Sequence, residues 1–362
     1  MEPVAEHLDP VAGLLDPGRR RPLVVLDPTW PAAQREAASA DVAAGVRSGR
    51  VVADDLVLFT SGSTGRPRGV VRSLASWQLS LDPLSELTRI GPDDVVWVPG
   101  PLTSSLYLYG AFHARAVGAA VVSRPSPSVT AAHLVPTGLA QAVDVAASLP
   151  GLRTVVVAGD VLPDVLRRRA VALGWRVVEY YGAAELSFVG WRDSPGPFRD
   201  FPGARVRVRD GRVWVRSAYC CNGYLDIEDR GPLVRDGDWA GVGDLGRLEG
   251  DGWVVTGRGD AAVVTGGHTI VAEEVEGVVA AVPGVVAVAV VGLPHDRLGR
   301  YVAAVVVADR PVRAAVVEAV STLPPAARPR RWLGAERLPL TAAGKVSRSQ
   351  VEARADLLPP LR

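Results

Sequence analysis

Between residues 51 and 179 the sequence alternates short β-branched runs with longer stretches of helical spacing, and this alternation limits the fold more than any other feature. Val51 to Thr60, Val95 to Val98, Ala119 to Val122, Thr154 to Ala158 and Arg176 to Glu179 read as strands. Residues 31–49, 70–90, His133 to Leu149 and Pro163 to Leu173 read as helices, and Leu23 to Asp27 as one more short buried strand. Strand, helix and strand in succession close most simply as a parallel sheet covered by helices. From about residue 204 the pattern changes: RVRVRDGRVWVRS and GRLEGDGWVVTG put strand and turn in quick succession, as antiparallel hairpins do. Near residue 258 a second unit begins, with helix 272–281, strands 285–291 and 301–307, helix 312–322 and a Pro/Arg-rich link to the C-terminus. The expected class is α/β. A large N-terminal lobe of layered sheets and helices covers residues 1–257, and a small α+β domain covers 258–362. The first 20 residues, polar and marked by Pro and Gly, read as a loose arm or a short helix.

Composition supports cores in both parts and excludes several roles. With 362 residues, 48% of them hydrophobic and 22% charged, the chain has material for two or three domains. A net charge of +1 gives no global basic field for nucleic acid. The basic cluster PPAARPRRW at 324–332 reads as a solvated loop. Cys220 and Cys221 are adjacent and close no useful loop, which points to a reducing compartment. The start, MEPVAEHLDP, lacks an apolar signal core, and the longest apolar stretch, Gly277 to Pro294, is split by Pro283-Gly284. No membrane span is expected, and the expected location is cytoplasmic.

The most informative segment is Leu56 to Gly69, LVLFTSGSTGRPRG. A strand runs into small residues whose backbone N–H groups can turn toward one point, with Ser and Thr hydroxyls as added donors and Arg68 behind them. That is a cradle for phosphates. It is not a Walker loop, because no Gly-Lys-Ser/Thr closes it. A second signal is a bias: all but one of the 40 basic residues are arginine, and the exception is Lys345. A compact ammonium on a flexible stem can contact a carboxylate and a phosphate together, a task to which a planar guanidinium is less suited. Gly241-x-Gly243-x-x-Gly246 matches a dinucleotide fingerprint literally but lacks the strand before it and the helix after it. The histidines at 7, 113, 133, 268 and 295 show no zinc-ligand spacing.

The phosphate loop resembles that of the adenylate-forming superfamily, which includes acyl-CoA synthetases, luciferases and adenylation domains. Four further segments resemble that family's motifs in order. They are Tyr180-Tyr181-Gly182-Ala183-Ala184-Glu185, WAGVGDLG at 239–246, GRGD at 257–260 followed by Gly266-Gly267 and Glu273 to Glu276, and PLTAAGKVSR at 339–348. The resemblance spans residues 56–348. About sixty residues precede the phosphate loop where the family commonly has well over a hundred. The chain is thus similar to a short form of the acyl-CoA synthetase fold, as in compact enzymes like o-succinylbenzoate-CoA ligase. Four positions depart from the family pattern, one of them Ser104, where many relatives carry histidine or an aromatic residue. Arg68 stands where lysine is usual, Val242 replaces a threonine, and Ala184 replaces the threonine before the glutamate. The last change removes one hydrogen bond to phosphate, a loss of about 1–3 kcal/mol.

The resemblance implies an AMP-forming ligase that uses ATP, Mg2+ and coenzyme A. A carboxylate attacks the α-phosphate of ATP, and a thiol then displaces AMP. It implies that Thr60, Ser61, Gly62, Ser63, Thr64, Gly65 and Arg68 hold the β- and γ-phosphates. Glu185 would be the metal ligand, since a hard carboxylate oxygen suits Mg2+. Gly159, Tyr180, Tyr181, Gly182, Asp244 and Arg258 would surround adenine and ribose. Lys345, Glu185 and Arg258 would be catalytic, Asp260 the hinge, and Gly266 and Gly267 the passage for a pantetheine arm. Ser104, Tyr109 and Ser187, with Tyr107 and Phe188 nearby, would face the acyl group. The implied partners are a small-molecule carboxylate and coenzyme A. A carrier-protein phosphopantetheine or an amine stands as another acceptor, a catalytically impaired nucleotide-binding homologue as a third reading. The short N-terminus would leave surface for a partner or a second subunit, with a homodimer as one candidate arrangement. A buried arginine at the end of the acyl pocket would favour a second carboxylate on the substrate, and an apolar tunnel a fatty chain.

Overall fold

The computed structural model describes residues 9–60, 67–226, 231–258, 262–265, 268–295, 299–341, 344 and 346–362. The chain forms two compact units. The first holds residues 1–209, 214–242 and 248–253, and the second holds 210–213, 243–247 and 254–362.

In the first unit, a four-stranded sheet runs in the order Leu23–Val25, Asp55–Thr60, Arg68–Ser73 and Gly223–Tyr224. The first two strands are parallel, and 55–60 and 68–73 are antiparallel with Thr60 opposite Arg68. The phosphate-loop segment therefore leaves and re-enters the sheet at paired positions. This corrects the sequence expectation of a helix over 70–90. Val70 and Val71 are both fully buried, so both faces of the strand are covered and no alternation betrays it. Helices follow at Leu74–Gln78 and Leu81–Thr88.

A seven-stranded sheet carries the rest of the unit. Its order is Arg199–Asp200, Ser187–Arg192, Arg176–Ala183, Thr154–Val157, Ala131–Leu134, Val95–Trp97 and Ala120–Val122. The last five are mutually parallel, and the first two are antiparallel additions at one edge. Ala131–Leu134 lies partly where a helix from His133 was expected. Its sequence, AAHL, has no β-branched residue, and the helix begins at Pro136, whose fixed φ suits a first helical position. The helix Ser105–Ala116 is buried on nearly every side from Tyr107 to Ala114, so it reads as apolar all round rather than amphipathic. The N-terminal arm forms the helix Pro10–Leu15, capped by the Asp9 carboxylate.

In the second unit, Val285–His295 pairs antiparallel with Gly299–Ala308, which pairs parallel with Arg331–Gly334. Alternate residues feed two cores. Val290, Val302, Ala304 and Val306 pack with Val275, Val279 and Val316 of the helices Ala272–Ala280 and Arg313–Ala319. Ala289, Val291, Ala303 and Val305 pack with Val351 and Ala355 around the helix Arg348–Arg354. A strand covered on both faces becomes a nearly unbroken apolar run, as VVAVAVVGLP is. Among the described residues no helix is long and apolar enough to cross a membrane.

Candidate active site

Glu185 sits at the tip of a hairpin between Arg176–Ala183 and Ser187–Arg192. The register shifts between Tyr181 and Gly182, after which Ala183 pairs with Ser187. The Leu186 N–H donates to the Ala183 carbonyl at 3.1 Å, and Ser187 takes the left-handed conformation with φ 57°. A Cβ at position 182 would lie 2.0 Å from the Ser187 carbonyl oxygen, so this turn requires glycine there. The sequence Tyr-Gly-x-x-Glu thus encodes a tight tip that fixes the carboxylate.

Neighbouring strands hold the tip. The Cys221 N–H donates to the Glu185 carbonyl at 2.7 Å, and the Tyr224 hydroxyl donates to Glu185 Oε1 at 3.0 Å. Beneath it lies Arg72, fully buried on the strand after the phosphate loop. Its Nη1 donates to the Ala184 carbonyl at 2.8 Å, its Nη2 to the Tyr219 carbonyl and its Nε to Ser76 Oγ at 3.1 Å. The guanidinium also lies 5.3 Å from the Trp77 ring centre. Burial pulls its pKa down to about 10, so it remains a cation at neutral pH. Neither Arg72 nor Tyr224 stood out in the sequence. The only signal for Arg72 is a charge between valine and serine in a strand, and for Tyr224 a Gly-Tyr pair.

The donor set fits Mg2+. That ion binds through one or two carboxylates and takes its other oxygens from phosphate and water. Glu185 offers a buried carboxylate with one oxygen already held by a hydroxyl donor. Of the phosphate loop, Thr60 ends its strand half-buried, and the Arg68 guanidinium lies 5.3 Å from the centre of the Tyr224 ring. Ser61, Gly62, Ser63, Thr64 and Gly65 lie outside the described residues.

Tyr180 and Tyr181 are successive residues of a strand and point to opposite faces. Tyr180 packs against Phe188 with ring centres 4.5 Å apart, within the aromatic core. Tyr181 lies on the other side, 5.5 Å from Trp253 and 6.2 Å from Phe198. Val157 pairs with Glu179, so two residues further on Gly159, with φ 95°, comes level with Tyr181. This places Gly159 beyond the carboxyl end of a parallel strand, where α/β sheets bind ligands. Of the two tyrosines, Tyr181 is the one level with Gly159 and on the other side from Phe188.

The residues expected to face the acyl group divide. Ser104 stands at the N-cap of helix Ser105–Ala116 and is half-buried. Ser187 flanks the Glu185 tip. Tyr109 is a core residue instead: its hydroxyl meets Ser80 Oγ at 2.8 Å, and its ring touches Trp77, Phe112, His113 and Phe188. Nearby, His113 and His133 are fully buried with ring centres 6.2 Å apart. Burial drives their pKa values down to about 4 and about 3, so both are neutral at physiological pH.

In the second unit, Asp244 is buried at the start of the strand Asp244–Glu249. Arg258 ends the strand Gly252–Arg258, and only its backbone is described. Asp260, Gly266, Gly267 and Lys345 lie outside the described residues. The described residues that flank Lys345 in sequence have partners of their own. Leu340 pairs with Val346, the Ser347 N–H donates to the Pro339 carbonyl at 2.8 Å, and Gly344 takes φ 80°. Arg348 then bridges Glu273 at 3.1 Å and Glu276 at 2.7 Å on helix Ala272–Ala280. The glycine pattern 241–246 joins the strand Trp239–Gly241 to the strand Asp244–Glu249. A short strand does precede it, contrary to expectation, but another strand follows where a dinucleotide site has a helix.

The profile of the family described as AMP-binding enzyme matches residues 4–225. The chain belongs to this family. The profile of the AMP-binding enzyme C-terminal domain matches residues 274–345. The chain is 32% identical to a probable 2-succinylbenzoate–CoA ligase from Mycobacterium tuberculosis, over 85% of this chain and 87% of that one. It is 29% identical to an uncharacterized acyl–CoA ligase, YhfT, from Bacillus subtilis, over 81% and 67% of the two chains. The crystal structure of ATP-bound MatB from Rhodopseudomonas palustris superposes with a TM-score of 0.74 at 25% identity, covering 83% of this chain and 68% of that chain. As an AMP-binding enzyme of the adenylate-forming superfamily, the protein is an AMP-forming ligase with the α/β fold and small C-terminal domain of that group. Its substrates and cofactors are ATP with Mg2+, a carboxylic acid and a thiol.

Proposed function

We propose that the protein converts a compact monocarboxylic acid to its acyl-adenylate and then to a coenzyme A thioester. The observation that carries this reading is the buried tip that presents Glu185 beside the strand leading out of the phosphate loop. Thr60 through Gly65 and Arg68 grip the β- and γ-phosphates, and Tyr181 stacks on adenine near Gly159. Asp244 accepts from the ribose hydroxyls, and Arg258 holds ribose or the α-phosphate. Mg2+, when bound, draws negative charge off the phosphates and eases attack at phosphorus. Glu185 holds that ion, and Lys345 brings the acid's carboxylate to the α-phosphate. Catalysis of this kind is positioning and charge neutralisation. Residues 258–362 form the mobile domain, with Asp260 as hinge and Gly266-Gly267 admitting the pantetheine arm in the thiol step. The cytoplasm is the proposed location.

What supports a compact acid is the buried aromatic packing near the residues assigned to the acyl group. Near Ser104 and Ser187, the residues assigned to the acyl group, Tyr107 and Phe188 are buried, and the core residue Tyr109 packs against Phe188 and Phe112. The nearby imidazoles are uncharged, and the three kinds of nitrogen on buried Arg72 are each committed to protein oxygens. An aryl or short acyl group suits such walls better than a fatty chain or a second carboxylate. The similarity to a probable 2-succinylbenzoate–CoA ligase supports a dicarboxylate as the second reading.

Pyrophosphate release with a panel of aryl, short, long-chain and dicarboxylic acids, with and without coenzyme A, tests the assignment. Thiol-dependent AMP formation with compact acids is expected, and activity confined to long-chain acids would overturn it. In Lys345→Ala, adenylate formation should fall by a hundredfold or more, on the order of losing a preorganised charge contact. Preformed adenylate should still be consumed by thiol.

A further inference from the structure

We infer that Tyr224 is a positioning residue that sets the metal-holding carboxylate and the phosphate-loop arginine through opposite parts of one side chain. This rests on the reading of Glu185 as the Mg2+ ligand and Arg68 as a phosphate contact. The hydroxyl stands between two fixed partners: Glu185 Oε1 at 3.0 Å and the Leu233 backbone nitrogen at 3.1 Å. The Leu233 N–H can only donate, so it occupies a lone pair of the phenol oxygen. The single phenolic hydrogen is thereby directed at Glu185. A carboxylate tethered through Oε1 keeps its rotation fixed and leaves Oε2 for a cation.

The ring does separate work. The Arg68 guanidinium lies 5.3 Å from its centre, within range of a cation–π contact. Gly231 closes over both groups. A Cβ there would lie 2.5 Å from the Tyr224 ring and 2.7 Å from Arg68 Nε. Residues 231–233 therefore clasp the pair, with the glycine admitting the stacked groups and Leu233 orienting the hydroxyl. Tyr224 itself is held by pairing with Val70 on the strand that Arg68 begins. One tyrosine thus fixes the spacing between a negative and a positive group that must address the same polyphosphate.

ATP binding measured by calorimetry in EDTA and in excess Mg2+ separates the two roles. Tyr224→Phe keeps the ring and loses the hydroxyl. Its affinity for metal-free ATP should stay within about twofold of wild type, while the gain in affinity on adding Mg2+ should shrink by roughly tenfold, as for loss of a hydrogen bond to a charged group. Tyr224→Leu should also weaken metal-free ATP, by roughly three- to tenfold. Gly231→Ala, which crowds the pair without removing it, should show the same double loss. Glu185→Gln is the reference and should abolish the Mg2+ gain. A wild-type Mg2+ gain in Tyr224→Phe, beside its loss in Glu185→Gln, overturns the positioning role alone. Equal weakening with and without metal also overturns it, since a merely structural tyrosine behaves that way. A full Mg2+ gain in Glu185→Gln overturns the metal assignment and this inference together.

Discussion

At the scale of single residues, the site depends on atoms that are absent as much as on those present. Gly182 has no room for a methyl group, because the Ser187 carbonyl occupies the place where a Cβ would project. Gly182→Val should open the tip and carry Glu185 away from the Tyr224 hydroxyl. The expected result is a stability loss of about 2–4 kcal/mol in urea titration, with adenylate formation lost out of proportion to folding at low denaturant. Native adenylation in this variant would mean that the tip tolerates rearrangement. Arg72 is the complementary case. A buried guanidinium that satisfies two carbonyls and a hydroxyl costs stability by itself, yet removing it strands those oxygens without donors.

At the scale of elements, the described residues on either side of Lys345 are tied by a strand pair and an ion triad. Arg348 Nη2 meets both Glu273 and Glu276, and Glu276 also accepts the Val290 N–H at 2.7 Å. Burial raises the Glu276 pKa and Arg348 counters it. Arg348→Met should therefore leave the second unit folded while releasing the loop. The adenylation kcat should drop by about tenfold, an order typical of lost positioning, with the rate of thiol attack on supplied adenylate unchanged. Equal loss in both half-reactions would show that the triad supports the unit rather than the loop. The sequence revealed the elements unevenly for related reasons. The strands 95–97, 120–122 and 154–157 were legible because β-branched runs alternate with helices. Arg68–Ser73 and Ala131–Leu134 were not, since the first is covered on both faces and the second spells AAHL. Site motifs were legible as spaced glycines and charges, whereas Tyr109 looked like a pocket residue and proved to be core. Its role depends on which way helix Ser105–Ala116 rolls, which spacing alone does not encode when nearly every side is buried.

At the scale of the whole molecule, the buried imidazoles couple folding to acidity. His113 and His133 titrate near 4 and 3 in the folded chain, against an ordinary value of 6.5. Below pH 6.5 the unfolded chain takes up protons that the folded chain refuses, so stability is full above that value and declines as pH falls toward 4. With both groups contributing, the slope approaches about 2.7 kcal/mol per pH unit. Urea midpoints between pH 7 and 4.5 should show it, and His113→Asn with His133→Asn should flatten the curve. An identical slope in the double variant would assign the acid sensitivity to carboxylates instead. The loop from Pro339 to Ser347 has a different consequence. Every other cationic side chain of this protein is a guanidinium, so a reagent selective for side-chain amines meets a single address, Lys345.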